Sequence, residues 1–163
     1  MKHRKDKFLL GVFLGILMVT MAVLSGCGAK TEPKPDPGSG KYLIYYLNSS
    51  LTKLVAQEYE TETKDQADLA EELMGQLLHV PRDLDCQPAV NEKVSFKTCR
   101  IDEQVLYLYF DGSYISMKPE QEILCRAALA RTMTQIPGID YISIYCGDQP
   151  LMDRQGNPVG FIS

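Results

Sequence analysis

Val105-Leu106-Tyr107-Leu108-Tyr109-Phe110 is the stretch on which the fold turns. Side chains alternate across a strand, so Leu106, Leu108 and Phe110 point one way, and Val105, Tyr107 and Tyr109 the other. The first set suits a core. The second is aromatic with polar tips and suits a wet surface. Such a strand belongs in a sheet that is covered on one face. Just upstream, Val94 to Ile101 reads as its hairpin partner across Asp102-Glu103-Gln104. Just downstream, Asp111-Gly112-Ser113 turns the chain, and Tyr114-Ile115-Ser116-Met117 is expected to extend the sheet edge briefly.

What covers the apolar face comes next in the chain. Pro119 to Ile136 reads as a helix, with Pro119 at a first position where a missing N–H costs nothing. Cys125, Ala128, Leu129, Thr132, Met133 and Ile136 form its expected core stripe, and Pro137-Gly138 ends it. Ile123, Ala127 and Ala130 lie opposite, to meet either the C-terminal segment or a neighbour. Tyr141 to Cys146 is a strand with Ile142, Ile144 and Cys146 on one face and Tyr141, Ser143 and Tyr145 on the other. Leu151-Met152 begins a last short strand, Asp153 to Pro158 turns, and Val159 to Ile162 either returns along the sheet or stays loose.

Towards the N-terminus, Asp65 to His79 reads as another helix. Asp65 caps it, Ala70, Leu73, Met74 and Leu77 make one stripe, and Pro81 ends it. Arg82 to Glu92 reads as loop. Tyr42 to Leu47 is a first strand, turned at Asn48-Ser49-Ser50 into a short second strand from Leu54 to Tyr59. The order β(β)-α-β-β-α-β(β) predicts an α+β fold of two layers, a mixed sheet with two helices on one face. If the tyrosines of the two later strands face away from the helices, Tyr107, Tyr109, Tyr141 and Tyr145 gather on the bare face. That is a candidate interaction surface, because tyrosine offers large contact area with a polar tip.

Before Lys41 the chain changes character. A basic start (Lys2, Arg4, Lys5, Lys7) leads into Phe8 to Leu24, 17 residues without a charge, and then Ser25-Gly26-Cys27. Small residues before a cysteine form the pattern of a bacterial lipoprotein signal, in which the Cys27 thiol takes a diacylglyceryl group. The run is at the lower limit of a spanning helix, which needs roughly 17–25 residues, so an uncleaved anchor is the competing reading. The organisation predicted is residues 1–26 as signal, 27–40 as lipidated cysteine and Pro/Gly-rich tether, and 41–163 as one domain. Pro33, Pro35 and Pro37 make the tether semi-stiff.

The signal carries four basic residues and one acid. The remainder keeps 13 basic and 20 acidic residues, a net charge of −7. That acidity argues against nucleic acid as a partner. The expected partners are the membrane, through lipid on Cys27, and a protein or a second copy of the chain. The expected location is the outer side of the cytoplasmic membrane. Cys86, Cys99, Cys125 and Cys146 lack C-x-x-C spacing. They are either small buried residues or disulfide partners, in one of three pairings between which spacing does not choose.

Catalysis has little to work with. His79 is the only histidine after the signal and sits at a helix end, where it can meet the last carbonyls. No serine has a second histidine to serve it, and no spacing suits zinc, calcium or a phosphate-cradling loop. No metal, no cofactor and no catalytic residue are expected. A small-ligand or peptidoglycan-binding role for the tyrosine face is the alternative to a protein-binding one.

Four stretches together resemble a known family: Ile44-Tyr45-Tyr46-Leu47-Asn48 with Thr52-Lys53-Leu54-Val55; Leu106 to Phe110 before a glycine turn; Arg131 to Ile139; and Gly156-Asn157-Pro158-Val159-Gly160. In this order, behind a lipoprotein signal, they resemble the GerMN domain of spore-formation and germination lipoproteins of Gram-positive bacteria. The resemblance covers about Lys41 to Val159, and Arg131 to Ile139 is its most specific part. It implies a fold related to ring-building motifs, which assemble side by side in envelope complexes, and no catalytic residues. Family members often carry an acid where this chain has Tyr109.

Overall fold

The computed structural model describes residues 39–163; the signal, Cys27 and most of the tether lie outside them. Among the described residues, seven strands and two α-helices follow in the order β1 (Lys41–Asn48), β2 (Leu54–Glu60), α1 (Gln66–Leu78), β3 (Cys86–Gln87), β4 (Phe96–Asp102), β5 (Val105–Phe110), α2 (Pro119–Met133), β6 (Tyr141–Cys146) and β7 (Gln149–Pro150). The α+β class is as the sequence predicts. The strands divide, however, between a three-stranded sheet, β2-β1-β3, and a four-stranded sheet, β4-β5-β6-β7. The second is the mixed sheet: β5 pairs antiparallel with β4 and parallel with β6. A parallel pair needs a crossover, and α2 supplies it between β5 and β6.

Each element follows from its residues. Asp65 accepts from the N–H groups of Ala67 and Asp68 at 2.9 and 3.1 Å, holding two orphan donors of α1. Leu69, Ala70, Leu73, Met74 and Leu77 form the buried stripe of α1. The whole predicted stripe of α2, Cys125 to Ile136, is buried too. The Asn48 side chain accepts from the N–H groups of Thr52 and Lys53 and so makes the β1–β2 turn. Gly40 closes the other end of that hairpin at φ +76°. A Cβ there would come within 2.6 Å of the Thr61 carbonyl, so only glycine fits.

Three segments depart from expectation. Gly112–Ser116 forms a 3₁₀ turn rather than an edge extension, and Tyr114 within it is fully buried. Its ring packs on Phe110 at a centroid distance of 5.0 Å. Burying that ring outweighs the β propensity of Tyr114-Ile115. Within the expected loop 82–92, Cys86 and Gln87 pair with Asn48 and Leu47 as β3. The last strand, β7, falls at Gln149–Pro150, two residues earlier than Leu151-Met152. The C-terminus does return, with Ile162 bridging antiparallel to Ile142.

The Arg131–Ile139 stretch is the joint on which the fold closes. β1 uses alternate backbone groups for β2, leaving those of Leu43, Tyr45 and Leu47 on its other edge. Leu47 finds β3. Leu43 donates to the Gln135 side-chain oxygen at 2.8 Å, its carbonyl accepts from the Gln135 amide at 2.7 Å, and Tyr45 donates to Thr132 Oγ1 at 3.2 Å. A side chain of α2 and one just past its end thus stand in for a strand. Arg131 lies over the Tyr45 ring at 4.5 Å, Met133 and Ile136 enter the core, and the Pro137 carbonyl accepts from Gln66. Gly138 follows at φ +85°, where a Cβ would lie 2.8 Å from the Gln66 amide nitrogen.

Candidate functional site

The register of the mixed sheet builds the site. Tyr109 lies opposite Tyr145, Tyr107 opposite Ser143, and Val105 opposite Tyr141. Tyr107, Tyr109, Tyr141 and Tyr145 therefore share the face that Leu106, Leu108, Phe110, Ile142 and Ile144 leave behind when they enter the core. Their rings touch in sequence. Tyr109 meets Tyr145 at 5.2 Å, and Tyr145 meets Tyr107 at 6.1 Å. Phe161 then bridges from Tyr107 at 6.5 Å to Tyr141 at 6.3 Å. All four tyrosines singled out in the sequence stand in one continuous aromatic row.

Two further members were not foreseen. Phe161 is 61 % exposed and joins only because the C-terminal return at Ile162 carries it over β6. The aromatic in a loose-looking tail was its only signal. Arg100 on β4 lies opposite Tyr107, and its guanidinium sits 4.9 Å from that ring. Hairpin alternation from Tyr107 would have found it. Ser143 is the exception to the expected wet face: it is buried between tyrosines because its side chain is short. The row is apolar in body, polar at its hydroxyl tips and cationic at one margin, a composition enriched at protein interfaces.

Other groups are engaged inside the fold. His79 closes α1, with its N–H and ring Nδ1 both on the Gly75 carbonyl at 3.1 Å. Cys86, Cys99, Cys125 and Cys146 are free thiols in this structure. Burial pushes Cys125 up to about 12 and Cys146 up to about 11, so both are protonated at neutral pH. Hydrogen bonds from Thr63, Tyr59 and Thr61 hold the Glu72 carboxyl below its ordinary range and tie α1 to the β2 side. Asp153 accepts from Asn157 and Gln155 inside its own turn and is likewise lowered. Among the described residues no group of three or more His, Cys, Asp or Glu could hold a metal ion, and no helix is long and apolar enough to cross a membrane. A second exposed apolar cluster, Ile115, Ile123 and Met152, rims a groove between α2 and the C-terminal segment. Ala130, on the side of α2 opposite its stripe, is buried while Ile123 is not.

Comparison with known proteins agrees with this architecture. The family model Germane, described as sporulation and spore germination, matches residues 43–152. The first GerMN domain of the sporulation protein GerM from Bacillus subtilis superposes with a TM-score of 0.60 at 16 % identity, over 74 % of this chain and 93 % of that one. The tandem GerMN domains of the same protein give 0.61 at 16 % identity, over 76 % of this chain and 45 % of that one. Identity this low speaks for the fold alone. No curated protein matches in sequence.

Proposed function

The chain belongs to the Germane family of sporulation and spore germination domains, and from that membership we propose a lipid-anchored interaction module that captures a protein partner on its tyrosine face. The module would sit on the outer side of the cytoplasmic membrane, held by lipid on Cys27, and would serve a spore-related envelope assembly without a catalytic step. The observation that carries this is the unbroken row Tyr109–Tyr145–Tyr107–Phe161–Tyr141 on the uncovered face of a sheet whose other face is core. Aromatic rings of this kind dominate interface energetics when desolvated. The acidic domain offers no polybasic route to a membrane, which supports lipid as the anchor. A single acyl chain binds at only about 10⁴ M⁻¹, so a durable anchor needs more than one chain.

Crosslinking in intact cells, followed by identification of what is captured, tests the reading. Wild type is expected to capture a protein that Tyr107→Ala with Tyr145→Ala does not. Binding instead to purified wall fragments, lost in the same double variant, would transfer the face to the glycan reading. Cys27→Ala should lose the lipid label and the membrane fractionation while the domain still folds. Retention in the membrane fraction would contradict lipid anchoring.

A further inference from the structure

Beside the tyrosine face runs a strand edge that no other strand closes among the described residues. The edges of β1 and β6 are closed by specific devices. Thr132, Gln135 and β3 cover β1. β7, Leu151 and Ile162 cover β6, with Leu151 donating to the Ile144 carbonyl at 2.8 Å and Ile142 donating to the Ile162 carbonyl at 2.8 Å. Among the described residues, β4, seven residues long, ends the mixed sheet with no strand beyond it. Long exposed edges are usually blunted or used, because their free N–H and C=O groups template another strand.

Parity shows which groups are free. The two-residue turn Glu103-Gln104, with Glu103 at φ +54°, makes Asp102 and Val105 a bonded pair. Arg100 then bonds Tyr107, and Thr98 bonds Tyr109. The backbone groups of Cys99 and Ile101 therefore point outward. The far side of β5 confirms the phase, since the Gln104 and Phe110 carbonyls accept from Tyr141 and Gly147 on the β6 side.

The side chains along this edge have a sign. Lys97 and Arg100 are both more than half exposed, and their contacts to Asp111 and Asp102 are 4.0 and 3.7 Å. Exposed pairs of that kind are worth about 0–1 kcal/mol, so an incoming carboxylate competes on equal terms. On the helix side of β4 the Cys99 thiol is raised, first by burial and then by the nearby Glu71 of α1, whose charge disfavours acids on that side. β2, the other long open edge, instead carries the exposed acids Glu58 and Glu60.

We propose that β4 is a strand-addition site for an extended partner segment with acidic residues at alternate positions, its backbone pairing with Cys99 and Ile101 and its acids meeting Arg100 and Lys97. Main-chain bonds give such a complex its affinity and alternate side chains its specificity. The inference deepens the tyrosine-face reading, because the added strand would widen that face by one row.

The test uses the full chain in detergent micelles and two labelled peptides of about eight residues, one alternating Glu with Val and Thr, the other Lys in place of Glu. Wild type should bind the Glu peptide and not the Lys peptide, more weakly as salt rises. Ile101→Pro removes an outward N–H without touching the hairpin bonds, and should weaken binding about tenfold. Lys97→Glu with Arg100→Glu should invert the preference, and this readout stands even if the proline variant fails to fold. Equal binding of both peptides, or of neither, overturns the proposal. So does self-association abolished by Glu58→Lys, which would make the occupant β2 of another copy. A tyrosine-dependent crosslink in cells that survives both edge variants overturns strand addition and leaves the tyrosine face standing.

Discussion

Tyr45 and Tyr107 are the same residue type at the middle of two strands, in opposite circumstances. Tyr45 is 6 % exposed; its N–H is held by Thr132, and Arg131 covers its ring. Tyr107 is half-buried, with other aromatic rings and Arg100 against it. β1 is buried through most of its length, and its second edge is closed by Thr132 of α2 and by Gln135 just past it. The mixed sheet is buried on one face and aromatic on the other, with an open edge beside it. The first sheet, apart from the acidic outer edge of β2, is committed to holding the molecule together. The second keeps a face and an edge for something else, which is where a function is to be sought.

Substitutions should separate the two. Leu47→Ala on β1 empties a fully buried site and should cost about 2–5 kcal/mol by urea denaturation, whereas Tyr107→Ala should cost clearly less while removing the interaction surface. Equal losses would erase the distinction. Thr132→Val keeps the shape and removes the acceptor of the buried Tyr45 N–H. It should cost about 1–3 kcal/mol, and hydrogen exchange at Tyr45 should quicken selectively. Asp65→Ala removes the α1 cap and should cost about 1 kcal/mol, read as a lowered melting temperature.

The smallest effect is pH-dependent. The Glu72 carboxyl is held below its ordinary value of 4.5 by hydrogen bonds from Thr63, Tyr59 and Thr61. A depressed folded-state value means its contribution is present above the unfolded value and fades as pH falls through the folded one. The stability difference between wild type and Glu72→Gln should thus be constant near neutrality and shrink in acid below 4.5. A difference that grows on acidification would contradict the assignment.

Much of this was legible in the residues. Alternation along Val105–Phe110 and Tyr141–Cys146 placed the four tyrosines on one face, and the spacing of apolar residues located both helices. The division into two sheets was not legible, because local periodicity says which face is buried but not which strands share a ladder. Tyr114 misled because its propensity is local while its burial against Phe110 is tertiary. Phe161 joined the site through the C-terminal bridge, which appears only once strands are paired, whereas hairpin alternation from Tyr107 already places Arg100 beside it. The roles of Thr132 and Gln135 were hidden for a similar reason: a polar residue on a helix stripe reads as a blemish until a strand edge is set beside it.

The most direct measurement is crosslinking in intact cells with wild type and the Tyr107→Ala, Tyr145→Ala double variant, alongside the melting temperature of each. The account predicts a captured protein that disappears in the variant while the melting temperature changes little. Capture of the same protein at full yield by a folded double variant would contradict it.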